Sequence, residues 1–185
     1  MISVTPSGQG CDATVIGVDL ASKLDPSTVG AIHNAWLTHH VLVFQNQDLD
    51  DTAFEIFADS ICPIGADPFF APIDGKKRIA AISQRADEAG PLFAEVWHSD
   101  WNFLETPPAG TCLYSITIPP SGSDTLFFQS AKSPQRNARV VTSKIASENS
   151  ASLGTPRFRA QWRLCVGQIH RQYGHRTVRR GFGCI

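Results

Sequence analysis

The chain has no apolar run long enough to span a bilayer, so no membrane partner is expected. Its start, Met1-Ile2-Ser3-Val4-Thr5-Pro6, has neither the basic residues nor the apolar stretch of a secretory signal, which makes a cytoplasmic location the default expectation. It also has no Cys-x-x-Cys spacing. The five cysteines, Cys11, Cys62, Cys112, Cys165 and Cys184, are odd in number and scattered, which argues against a disulfide framework and against a structural zinc site; they read as reduced, mostly structural thiols. No internal repeat is apparent. Acidic residues are nearly missing from one region: after Phe128 there is only Glu148.

That last absence exposes an asymmetry beneath the net charge of −1. Residues 1–128 hold five Lys/Arg against sixteen Asp/Glu, a net −11, whereas residues 129–185 hold eleven against one, a net +10. With 185 residues and 42% hydrophobic content, the chain can bury one core, and one domain plus an appendage is the natural expectation. The boundary is expected at the charge reversal, giving residues 1–128 as the domain and residues 129–185 as a basic tail. A reading-frame change or truncation near residue 128 would produce such a tail, because out-of-frame codons carry no selection for periodicity or charge balance.

The first part reads as alternating strands and helices. Ala13 to Val18 is a β-branched run, and Asp25-Pro26 supplies an N-cap carboxylate and a proline at the first helical position. The helix that follows is expected to bury Val29, Ile32 and Trp36. Val41-Leu42-Val43-Phe44 reads as a buried strand, and Thr52 with Glu55 reads as a capping box before a helix carrying Phe54, Phe57, Ala58 and Ile61 on one face. Strands are also expected over 79–82, 93–100 and 111–118, and one beginning at Asp124-Thr125. Short strands between Pro/Gly turns after an α/β start suggest a sheet sandwich or barrel decorated by helices. Residues 129–156 have the composition of a loop or disordered segment. Phe158, Trp162, Cys165, Val166 and Ile169 recur at helical spacing among arginines and suggest a basic amphipathic helix.

The chemistry-bearing feature is Trp97-His98-Ser99-Asp100. On an extended strand residues i and i+2 project from one face, so His98 and Asp100 can grip a single metal ion. They make up two thirds of the 2-His-1-carboxylate facial triad, which holds non-heme Fe(II) with positions left open for oxygen and a co-substrate. A His-x-Asp pair alone is a weak signal, since any two such residues fall two apart by chance. The surroundings strengthen it: Thr106-Pro107-Pro108-Ala109-Gly110 follows, then Pro119-Pro120-Ser121-Gly122-Ser123-Asp124-Thr125-Leu126-Phe127.

In order and spacing these three segments resemble the iron-binding core of the TauD/TfdA family of 2-oxoglutarate-dependent dioxygenases. The similarity extends upstream through Gly17-Val18-Asp19-Leu20, His39-His40-Val41-Leu42-Val43-Phe44 and Pro63-Ile64-Gly65-Ala66-Asp67-Pro68-Phe69, and so covers about residues 10 to 128. The resemblance implies a mainly β fold with α: a double-stranded β-helix (jelly-roll) core with flanking helices, here incomplete at its C-terminal end. It implies Fe(II), 2-oxoglutarate and molecular oxygen acting on a small-molecule substrate, with His98 and Asp100 as iron ligands. Thr125 matches the family threonine whose hydroxyl meets a carboxylate of 2-oxoglutarate; without the flanking match it is an ordinary strand threonine. Trp97, Trp101 and Phe103 are candidates for the walls that keep water from the oxidant, or for plain core packing, and Phe69 and Phe70 for a substrate-pocket loop or its anchor.

Family members are longer and supply a distal histidine as third ligand, with a clamping arginine some ten residues beyond. Gly174-His175-Arg176-Thr177-Val178 is faintly similar to the segment just past that arginine, a registration that puts Gln161 and Gln172 at the ligand and clamp positions. Another registration takes His170 as ligand and Arg179 or Arg180 as clamp, and His175 is a further candidate ligand. His33, His39 and His40 read as surface or packing residues.

Two other function classes compete with the expected dioxygenase that hydroxylates a small organic acid. One is a non-catalytic protein whose tail, with Arg157, Arg159, Arg163, Arg171, Arg176, Arg179 and Arg180, binds nucleic acid; it has charge but no binding motif. The other is a scaffold whose incomplete sheet pairs with a second copy to form a homo-oligomer.

Overall fold

The computed structural model describes residues 1–8, 12–63, 65, 71–76, 78–81 and 108–116, and the backbone of four further strands at 125–128, 140–143, 162–165 and 182–184. Strands predominate, with two helices. In chain order the elements are β1 (Ser3–Pro6), β2 (Asp12–Ile16), α1 (Pro26–His39), β3 (Val41–Phe44), α2 (Asp51–Ile61), β4 (Gly110–Tyr114), β5 (Thr125–Phe128), β6 (Val140–Ser143), β7 (Trp162–Cys165) and β8 (Phe182–Cys184). Six strands form one sheet in the order β1-β2-β3-β7-β4-β8, and β5 and β6 form a separate antiparallel pair. Within the large sheet β2 and β3 are parallel, joined through α1, and every other neighbouring pair is antiparallel.

Helix α1 begins where the sequence predicts. The Asp25 carboxylate accepts from the backbone N–H groups of Ser27 (2.9 Å) and Thr28 (3.0 Å), and Pro26 occupies the first turn, where its missing N–H costs nothing. The hydroxyls of Ser27 and Thr28 also donate to this carboxylate. These hydrogen bonds hold the Asp25 carboxyl far below the usual carboxylate range. Because its folded-state pKa is depressed, the cap contributes fully above the unfolded carboxylate value of about 4 and weakens as pH falls below it. Asp25→Ala is therefore expected to lower stability at neutral pH and to lose less on acidification than the parent does. Urea midpoints at pH 7 and pH 3 check this, and an equal loss at both would contradict it.

The helix ends abruptly. His40 adopts a left-handed φ of 66° and donates its N–H to the Trp36 carbonyl at 2.7 Å, so a single residue separates the helix from β3.

The core lies between the sheet and the two helices. Ala13 and Val15 of β2 stand in register with Leu42 and Phe44 of β3, so the four share one face. Against them pack Ile32 and Trp36 from α1, with Phe54, Phe57, Ala58 and Ile61 from α2. Val29 is only partly buried. Phe44 meets Phe57 edge-on at 5.7 Å between ring centroids. All four residues of β3 are buried, and the strand has neighbours at both edges.

Four local expectations fail. The α2 N-cap is Asp50, whose carboxylate accepts from the Ala53 N–H at 2.7 Å, rather than Thr52. Thr52 and Glu55 instead both meet the Lys76 ammonium, at 2.8 and 3.7 Å. Residues 79–81 form no strand; the Ile79 carbonyl accepts from the Ile73 N–H at 2.8 Å, closing a short loop at Gly75, where φ is +75°. Trp162–Cys165 is a strand and not part of a helix, because it pairs on both sides with β3 and β4. Val140–Ser143, within the stretch expected to be loop, pairs with β5. The strand predicted over 93–100 lies outside the described residues.

Candidate functional site

The two metal-ligand candidates, His98 and Asp100, lie outside the described residues, as do Trp97, Trp101, Phe103, Phe69 and Phe70. So do His170, His175, Gln161, Gln172, Arg179 and Arg180. Thr125 is the first residue of β5, its backbone in register with Ser143. Among the described residues no three His, Cys, Asp or Glu side chains come together as a metal site. His33 packs edge-on against Trp36 at 5.4 Å, and His39 and His40 sit in the last turn and cap of α1, so these histidines read as structural.

The structure does show what brackets the segment that carries His98 and Asp100. On its upstream side residues 71–76 and 78–81 are fastened to α2: Lys76 reaches Glu55 and Thr52, and Arg78 pairs with Asp59 at 3.0 Å. Surface ion pairs of this kind, half-buried for Lys76–Glu55 and exposed for Arg78–Asp59, are each worth only about 0–1 kcal/mol, so the firmer hold is Ile79, which joins the core. On the downstream side Gly110–Tyr114 enters the sheet and Cys112 joins the same core cluster. The segment carrying His98 and Asp100 thus leaves from and returns to one packed core.

At one end of the sheet the chain also clasps the loops that follow β2 and β3. Gly17, at φ +81°, turns the chain out of β2; a Cβ there would lie 3.3 Å from the Met1 carbonyl oxygen. Asp19 then accepts from Ala21 and Ser22, which hold its carboxyl below the ordinary value, the Ser22 hydroxyl contributing most. Gln47, after β3, spans to this loop: its Oε1 accepts from the Leu20 N–H at 2.8 Å, and its Nε2 donates to the carbonyls of Val18 and Gln45, both at 3.1 Å. The Leu49 N–H in turn donates to the Tyr114 hydroxyl of β4 at 3.4 Å. Sequence reading passes over Gln47, since a polar residue between a strand and a helix has no periodic signature. Gln47→Leu strands the part-buried Leu20 N–H and Val18 carbonyl, while the exposed Gln45 carbonyl can turn to water; a stranded buried group costs about 1–3 kcal/mol, so a loss of about 2 kcal/mol is expected. Urea unfolding checks this, and a change below about 0.5 kcal/mol, the scale of ordinary surface substitutions, would remove the clasp from the account.

Cys112 is a buried free thiol. Thr111 on β4 is fully buried, and its hydroxyl has no hydrogen-bond partner among the described residues. No helix among the described residues is long and apolar enough to cross a membrane.

Known proteins complete the account of this site. Residues 3–133 match the family described as "Taurine catabolism dioxygenase TauD, TfdA family". The chain is 33% identical over 135 residues to an alpha-ketoglutarate-dependent sulfate ester dioxygenase of Pseudomonas putida, covering 72% of this chain and 44% of that protein. It is 36% identical over 114 residues to an alkylsulfatase of Acinetobacter baylyi, covering 61% of this chain and 35% of that protein. A solved taurine dioxygenase from Burkholderia xenovorans superposes with a TM-score of 0.57 at 34% identity, over 69% of this chain and 44% of that one. The chain spans less than half the length of these relatives. The matched stretch contains both the His98-Ser99-Asp100 run and Thr125, and on that extent of similarity the chain belongs to the TauD/TfdA family of alpha-ketoglutarate-dependent dioxygenases.

Proposed function

We propose that this chain carries the iron-binding half of an Fe(II)- and 2-oxoglutarate-dependent dioxygenase acting on a small organic acid, with organic sulfate esters and sulfonates as the first classes to try. The observation that carries the reading is the family match across residues 3–133, which includes His98, Asp100 and Thr125. The names of the relatives, a sulfate ester dioxygenase, an alkylsulfatase and a taurine dioxygenase, support the substrate class. In this reading the six-stranded sheet and the β5–β6 pair are portions of a jelly roll, and the protein works in the cytoplasm.

The donor set fits the metal: an imidazole and a carboxylate suit Fe(II), and a protein triad on one face leaves room for a bidentate 2-oxo acid. His98 and Asp100 would hold the iron, with a third ligand from His170 or His175, and Thr125 would donate its hydroxyl to a 2-oxoglutarate carboxylate. When bound, the iron couples decarboxylation of 2-oxoglutarate by oxygen to oxidation of a substrate C–H bond. The chain's own task is to orient the 2-oxo acid and keep water from the reacting centre, for which Trp97 and Trp101 are the candidates. The rival reading, a nucleic-acid-binding tail, gains no support, since residues 162–165 of that tail form an interior strand rather than a free arm.

Anaerobic titration of the full chain with Fe(II) and then 2-oxoglutarate tests the proposal. A visible charge-transfer band that needs both additions is the expected result. A chain that binds neither, judged by absorbance and by calorimetry, would overturn it.

A further inference from the structure

Strand β1 ends the order of the six-stranded sheet, and along it Ser3, Thr5 and Pro6 are exposed and Val4 is half-buried. An uncovered edge strand displays a row of backbone N–H and C=O groups that a second chain can pair with. Which of these groups face outward follows from the phase of the ladder. The Ser7 N–H donates to the Asp12 carbonyl at 3.1 Å, and the register continues as Pro6↔Ala13, Thr5↔Thr14, Val4↔Val15 and Ser3↔Ile16. Hydrogen-bonded and non-hydrogen-bonded pairs alternate along an antiparallel ladder, so Ser7, Thr5 and Ser3 turn their backbone groups to β2, and Val4 and Pro6 turn theirs to the open side. Proline has no N–H, and its ring fills the place from which one would be donated. We propose that Pro6 closes the β1 edge of the sheet to strand pairing with a second copy of this chain.

The place of Pro6 within the strand makes the block effective. A two-fold pairing of β1 with β1 centred on Val4 would join the two Val4 residues through their outward backbone groups and set Pro6 of each copy against Ile2 of the other. A ladder bond is then lost on each side of the centre, and each pyrrolidine ring presses on a facing backbone only about 4.8 Å away. Centring the pair on Pro6 instead sets the two rings against each other. The sheet itself loses nothing, because Pro6 stands where no bond to β2 is due, and Val4 still packs against the core. The open edge of the sheet, which would otherwise invite self-pairing, is thus blocked by the one residue type that can end a ladder from within the strand.

Pro6→Thr in the full chain restores the outward N–H with a residue suited to strands. Light scattering over a range of concentrations should show self-association at least about tenfold tighter than the parent's, the return of a bond on each side of the centre. Amide hydrogen exchange followed by NMR locates the contact: the Val4 N–H, open to water in the parent, should become protected in the variant as concentration rises, whereas the Thr5 N–H, turned to β2, is protected in both. Should Pro6→Thr fail to fold, judged by circular dichroism, Pro6→Ala restores the same N–H and is expected to behave alike. Equal association of the parent and a folded variant, or tighter association with the Val4 N–H still exchanging freely, would overturn the proposal. So would a Val4 N–H whose protection already rises with concentration in the parent, since the edge would then pair despite Pro6. None of these outcomes depends on whether the chain binds iron.

Discussion

His98→Ala is expected to abolish the Fe(II)- and 2-oxoglutarate-dependent absorbance band and to weaken Fe(II) binding by more than about a hundredfold, since loss of an outer-shell partner alone costs about 10–100-fold and His98 would be a direct ligand. Asp100→Ala should match it. Thr125→Val should behave differently: the band persists, but the 2-oxoglutarate concentration for half-formation rises about 10- to 100-fold, the worth of one hydrogen bond to a charged group, about 1.5–3 kcal/mol. The contrast separates ligands from a co-substrate contact. Isothermal titration of Fe(II) under nitrogen, followed by 2-oxoglutarate, reads both quantities on one sample. Unchanged Fe(II) affinity in His98→Ala would remove the histidine from the site, and equal losses of Fe(II) in all three variants would point to unfolding, which circular dichroism would reveal.

Phe44→Ala is expected to cost about 3–5 kcal/mol, the range for an aromatic truncated in a packed core. Phe44 ends a strand that has neighbours on both sides, is 1% exposed, and meets the Phe57 ring of α2 edge-on. Removing it therefore loosens the contact between sheet and helix as well as leaving a cavity. Domains of this size are stable by only about 5–15 kcal/mol, so a large share of the total would go. Leu37→Ala on α1, at a position 40% exposed, is the control and should change stability by less than about 0.5 kcal/mol. Urea unfolding monitored by tryptophan fluorescence decides: similar small losses for both variants would mean that the β3–α2 contact does not organise the core.

The elements that could be read from the sequence are those whose signal is local. Asp25-Pro26 caps α1 because a carboxylate and a proline are suited to a helix start wherever it occurs. The buried face of α2 follows from the 3.6-residue repeat of Phe54, Phe57, Ala58 and Ile61, and β3 from four consecutive apolar residues. The sequence points to Thr52 and Glu55 as the α2 capping box, but the Asp50 carboxylate two residues earlier accepts from the Ala53 N–H, and Thr52 and Glu55 meet Lys76, which is distant in sequence.

Strand β1 had no such signal, since Ser3-Val4-Thr5-Pro6 is short and ends in proline; it is a strand because the edge of β2 accepts it. Trp162 to Cys165 has the clearest conflict. Its apolar spacing fits a helix when the segment is read with its flanks, and an extended strand when read alone, and the pairing edges of β3 and β4 settle the matter. The candidate site rests on a different kind of signal. His98 and Asp100 are proposed from the type of donor and their i, i+2 spacing, and Thr125 from its place in the family resemblance, all of which lie in the sequence itself.

By itself, then, the sequence determined the helix start at Asp25, the apolar faces of α2 and β3, the family and the donor types of the proposed His98–Asp100 pair, because each depends on residues close together or on residue chemistry. The tertiary structure alone decided the strand order, the clasp made by Gln47 and the placing of residues 162–165 between β3 and β4. Those depend on which backbone groups would otherwise be buried without a partner, and that is known only when segments far apart in the chain have come together.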